Sequence, residues 1–123
     1  MSGTILVVDD DVGLQAMVQA ILEDEGYSVA LASDGLDALA VLEVEQPALI
    51  LLDLNMPRMD GYAFAEEVRR RGLRPAIALA VLTADNSARQ KARQLDADGV
   101  LRKPFTLSEL LNMVAQLAPG AAL

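Results

Sequence analysis

The chain contains no cysteine, which excludes disulfides, thiolate-bound metals and a cysteine nucleophile. It has no basic segment leading into a long apolar stretch, and its run Ala76 to Leu82 is far shorter than the roughly 18 residues that span a bilayer. No membrane association is expected, and a cytoplasmic location is. Lys and Arg are missing from the first half: none precedes Arg58, whereas eleven of the eighteen acids do. With a net charge of −8, this argues against a nucleic-acid footprint. It also predicts an acidic side and a mildly basic one. The densest basic cluster, Arg69-Arg70-Arg71 with Arg74 behind it, reads as a solvated helix end that complements a C-terminal dipole.

What the chain does have is apolar runs that end in polar residues. Asp9 and Asp10 follow Ile5-Leu6-Val7-Val8, Asp53 follows Leu49-Ile50-Leu51-Leu52, Thr83 follows Leu79-Ala80-Val81-Leu82, and Lys103 follows Val100-Leu101-Arg102. At 123 residues and 53% hydrophobic content, one core is affordable and two are not. Residues 1–118 are read as one domain, with 119–123 as a tail or the start of a linker.

Strand and helix patterns alternate throughout. Strands are expected at 4–8, 27–32, 48–53, 76–83 and 99–102. Helices are expected at about 12–25, 34–45, 62–71, 86–95 and from 107 onward. The first helix has Leu14, Met17, Val18, Ile21 and Leu22 on one face, and Gly26 stops it. Ser33-Asp34 can cap the second, and Thr106 to Glu109 has the spacing of a capping box. The first, third and fourth strands are nearly continuous apolar runs, as in a parallel sheet covered on both faces. The expected fold is a doubly wound, flavodoxin-like α/β domain with strand order 2-1-3-4-5. Ligands bind such sheets beyond the carboxyl ends of the strands, where strand order reverses. That point lies between strands one and three and gathers Asp9, Asp10 and Asp53.

Taken singly, an Asp after a strand is more often a turn former or a cap than a functional group. A Thr at a strand end is more often half-buried strand, and a Lys before Pro more often solvated surface. The joint pattern is different: structural needs do not specify acids after strands one and three with a cation after strand five. Three carboxylates, a hydroxyl and an ammonium at one edge suit a divalent cation and a phosphoryl group.

With VVDDD, LLDLNMPRMDG, VLTA and RKPF in this order, the chain resembles the receiver domain of two-component response regulators over essentially its full length. The resemblance implies that Asp53 is the phosphoacceptor, taking a phosphoryl group from a sensor histidine kinase or phosphotransfer protein. It implies a Mg²⁺ ion held by Asp10, by Asp9 through water, by the Asp53 carboxylate and by the carbonyl of Asn55. Lys103 would pair with Asp53 and then with the phosphoryl group, and Thr83 would hydrogen-bond a phosphoryl oxygen. Pro104 would follow a cis bond that aims Lys103 inward, Ala84 would leave space, and Asn55 and Asp85 would influence dephosphorylation. Lacking histidine, the chain cannot itself carry a phosphorelay histidine.

Two positions depart from the family pattern: Val100 stands where Tyr or Phe is usual, and Asp96 where Gly is common. Asp tolerates a left-handed backbone better than most residues. Two other readings stand beside this one. Asp9-Asp10-Asp11-Val12 also fits the pattern of haloacid-dehalogenase-type phosphatases, with Asp9 as nucleophile, although such enzymes need a longer core. A receiver-like interaction module that is never phosphorylated is the third.

Overall fold

The computed structural model describes residues 3–121 except 55, 57, 58, 75 and 85, and the side chain of residue 88. Five strands, β1 (Thr4–Val8), β2 (Ser28–Ala32), β3 (Leu49–Asp53), β4 (Ala78–Thr83) and β5 (Gly99–Arg102), alternate with five helices. The helices are α1 (Val12–Asp24), α2 (Gly35–Val44), α3 (Gly61–Arg70), α4 (Ala88–Gln94) and α5 (Leu107–Leu117). All strand pairs are parallel and the sheet order is β2-β1-β3-β4-β5, as expected.

Strand alternation sorts the apolar runs onto two faces. Leu6, Val8, Ile50, Leu52, Leu79 and Val81 meet Phe64, Ala65 and Val68 of α3 and Ala38 of α2. Ile5, Val7, Leu49, Leu51, Ala80 and Leu82 point the other way, against Val18 and Leu22 of α1 and Leu110 and Val114 of α5. Because both faces are covered, β1 and β3 are buried at every position. Burying a Leu or Phe side chain contributes about 1.5–3 kcal/mol, so these two layers dominate the stability of the fold. Ala118 and Ala121 also pack into the second layer, so the chain stays on the domain past α5.

Helix starts follow their caps. The side chains of Asp11, Asp34 and Asp60 accept the amides of Leu14, Asp37 and Ala63 at 3.1, 2.9 and 2.9 Å. Asp11, third in the acidic run, is thereby committed to the start of α1. At α5 the capping box closes in both directions, Glu109 N–H to Thr106 Oγ1 at 3.1 Å and Thr106 N–H to Glu109 Oε1 at 2.8 Å. Gly26 ends α1 with a positive φ of 95°, and Asp96 takes φ 55° after α4.

One face differs from the sequence reading. Met17 is 46% exposed, and Gln15 is buried in its place with Val18 and Leu22. At 100° per residue, 15, 18 and 22 share a stripe from which 17 is turned away. No described helix is long and apolar enough to cross a membrane.

Candidate phosphoryl and cation site

The strand register explains how the polar residues meet. Val8 is level with Leu52, so Asp9, the next residue, comes level with Asp53 at the end of β3. Asp53 is paired with Leu82, one residue before Thr83, and Thr83 with Arg102, one before Lys103. Four strands thus deliver their polar ends to one edge. The carboxylates of Asp9, Asp10 and Asp53 each place an oxygen within 4.8 Å of the others, with Asp9 and Asp53 buried and Asp10 exposed.

Lys103 lies across this cluster. Its Nζ is 2.8 Å from Asp9 Oδ2 and 3.7 Å from Asp53 Oδ2, so its nearest carboxylate is Asp9 rather than the expected Asp53. The Lys103–Pro104 bond is cis, and the Lys103 amide donates to Thr83 O at 2.9 Å, tying the ends of β4 and β5 together. The other oxygen of Asp9, Oδ1, accepts the Asp11 amide at 2.9 Å. Thr83 is buried at the same edge, and Ala84 beyond it is exposed. Asn55 and Asp85 lie outside the described residues.

Behind Asp53, the start of α3 comes very close. A Cβ on Gly61 would lie 2.6 Å from Asp53 O and 2.7 Å from Leu54 Cα, and the Gly61 amide donates to Leu54 O at 3.1 Å. Only glycine permits that approach. Gln15, which the sequence reading passed over, reaches the other side of the site: its amide donates to the carbonyls of Asp9 and Ala32. The available signal was its position on the α1 stripe that carries Val18 and Leu22, since a polar group there needs partners.

Comparison with known proteins decides the family. The family model of the response regulator receiver domain matches residues 5–115. The chain belongs to that family. Response regulator MprA of Mycobacterium tuberculosis is 42% identical over 119 residues, 95% of this chain and 51% of that protein. The probable transcriptional regulator ycf27 of Cyanophora paradoxa is 39% identical, over 92% of this chain and 47% of its own length. The receiver chain therefore spans about half the length of these curated relatives. Among solved structures, the Vibrio cholerae chemotaxis response regulator CheY4 superposes with a TM-score of 0.87 at 33% identity, covering 95% of this chain and 99% of that one. A response regulator from Chloroflexus aurantiacus gives 0.88 at 31%, covering 96% and 98%. This receiver shares their two-component signalling family and their fold. The phosphatase reading finds no support in these relatives.

Proposed function

We propose that this receiver takes a phosphoryl group from a histidine kinase or phosphotransfer protein onto Asp53, with Mg²⁺, and so changes the surface it offers to a downstream target. The observation that carries this reading is the convergence of Asp9, Asp10 and Asp53 within 4.8 Å beside the Lys103 ammonium. An all-oxygen, carboxylate-rich donor set fits Mg²⁺, which prefers hard oxygen ligands and retains several waters. Asp9, Asp10 and Asp53 would hold the ion, joined by the carbonyl of Asn55. When bound, it supplies positive charge for the oxygens of the transferring group.

The protein's own share is nucleophile and placement. A carboxylate oxygen of Asp53 attacks phosphorus, a P–O bond forms as the P–N bond to the donor histidine breaks, and the electron pair leaves with the imidazole nitrogen. Lys103, within reach of Asp53, offsets charge on the phosphoryl oxygens, and Thr83 donates its hydroxyl to one of them. Ala84 leaves room beside them, Pro104 aims Lys103 inward, and Asn55 and Asp85 influence attack by water. The domain assists its own phosphorylation and dephosphorylation but turns over no separate substrate. It acts in the cytoplasm, binds no nucleic acid or membrane itself, and runs through residue 118, with Ala121 still packed on it.

Acetyl phosphate with Mg²⁺ tests the assignment. Borohydride trapping and mass spectrometry should find one phosphoryl group on Asp53 and none in Asp53→Asn. Label on Asp9 would favour the phosphatase chemistry. Absence of label in the wild type would leave only an interaction module.

A further inference from the structure

Gln15 is a buried polar side chain that the chemistry above does not use. Its Nε2 donates its two hydrogens to the main-chain carbonyls of Asp9 and, at 2.9 Å, Ala32, with Ser33 Oγ 3.4 Å away. Only the NH₂ end of an amide can serve two carbonyl oxygens, so these contacts set its orientation. Asp9 is the first residue after β1 and Ala32 the last of β2, and the Asp9 amide itself donates to Ala32 O at 3.1 Å. One side chain from α1 thus clamps together the two strand ends beside the acid cluster.

Asp9 is consequently held on three sides. The Asp11 amide and the Lys103 ammonium hold its two carboxylate oxygens, and Gln15 holds its main-chain carbonyl. Of these three, the Gln15 contact alone bears on the backbone from which the carboxylate projects, beside the Asp9 amide's own bond to Ala32 O. Without it, the Asp9 and Ala32 carbonyls lose a buried donor, and relaxing toward another partner would carry the Asp9 side chain along. Magnesium tolerates little departure from octahedral geometry, so a small displacement of one carboxylate weakens the whole set.

We propose that Gln15 is a positioning residue for the cation site: it anchors the Asp9 main chain so that the Asp9 carboxylate stands in register with Asp10 and Asp53. This rests on the reading of the acid cluster as a Mg²⁺ site. Groups that orient metal ligands from behind typically change affinity 10- to 100-fold. Removing the Gln15 donor is therefore expected to raise the Mg²⁺ dissociation constant by about tenfold.

The test uses Gln15→Met, which keeps length and burial but has no donor, with Gln15→Leu as a second variant. Val18→Ala is the control, because it weakens the same helix face at an apolar residue that offers Asp9 no side-chain hydrogen bond. Mg²⁺ titration by calorimetry is combined with melting curves and with amide exchange of Asp11 in the metal-free protein. The expected result is weaker Mg²⁺ binding and faster Asp11 exchange in the Gln15 variants, with neither change in Val18→Ala even though its melting temperature falls. Unchanged Mg²⁺ affinity in a folded Gln15 variant, or an equal loss in Val18→Ala, would reduce Gln15 to a stabiliser of α1. A wild type that binds no Mg²⁺ would overturn the cation reading and this inference with it, whereas normal wild-type binding with an unaffected variant removes the inference alone.

Discussion

The exposed carboxylate of Asp10 has Asp9 and Asp53 as neighbours and, among the described residues, no hydrogen-bond or ion-pair partner. Two carboxylates about 4 Å apart repel by about 4 kcal/mol at an effective dielectric near 20, and solvent at an exposed group screens most of that. Asp10→Ala should therefore stabilise the metal-free protein, by about 1 kcal/mol after screening. It should also abolish the rise in melting temperature that Mg²⁺ gives by binding only the folded chain. Melting curves with and without Mg²⁺ check both halves, and an unchanged Mg²⁺ response would place the ion elsewhere. The sequence already showed which residues share this edge, because each ends an apolar run and parallel strands end together. It did not show that Lys103 stands nearer Asp9 than Asp53, since that depends on side-chain reach across three strands. Nor did it single out Gln15: its place on the stripe with Val18 and Leu22 signals a buried amide, but not which carbonyls that amide serves until α1 is packed against β1 and β2.

At the scale of elements, strands were legible because both faces of the sheet are covered and their residues are apolar without interruption. Helix starts were legible through Asp34 and the Thr106–Glu109 box, and Gly26 marked a helix end. The turned-away Met17 was not, because apolar spacing alone leaves the edges of a helical stripe undefined. The basic cluster at the end of α3 proves to be an ion-pair network. Glu67 accepts from Arg70 at 2.6 and 2.9 Å and from Arg71 at 2.8 Å, and Arg71 reaches on to Glu43 of α2 at 3.1 Å. Hydrogen bonds from Arg70, then Arg71, pull the Glu67 carboxyl from the usual 4.5 to about 2. A carboxyl with a depressed pKa in the folded state stabilises above its unfolded value, and that contribution disappears as pH falls toward the folded one. Wild type should accordingly exceed Glu67→Gln in urea midpoint at pH 6, with the gap closing between about pH 4.5 and 2. A gap that does not vary with pH would assign the difference to packing.

Across the whole molecule, the proposed phosphorylation of the acid cluster would have to reach a remote surface to be felt; the family resemblance implies the face of α4, β5 and α5, and Val100 bears on that path. The family resemblance implies that an aromatic ring at this position turns inward once the strand-four hydroxyl moves onto the phosphoryl group. Val100 sits on the edge strand β5, level with Val81, half-buried against the layer that holds Leu79, Val81 and Ala92. Its short β-branched side chain is stiff about χ1 and cannot sweep from solvent to core. The remaining route runs through one backbone and one side-chain hydrogen bond: Thr83 O accepts the Lys103 amide, and the Arg102 guanidinium donates to Asn86 Oδ1 at 3.1 Å, so β5 is tied to the loop that follows Thr83. The expected response to beryllofluoride with Mg²⁺, a phosphoryl mimic, is a set of NMR shifts concentrated in Thr83, Ala84 and Asn86, with small changes along α5. Val100→Tyr should extend those shifts across β5 and α5. Large wild-type changes from Val100 to Arg102 and through α5, to which the tyrosine adds nothing, would show that coupling to the remote face does not depend on the side chain at position 100.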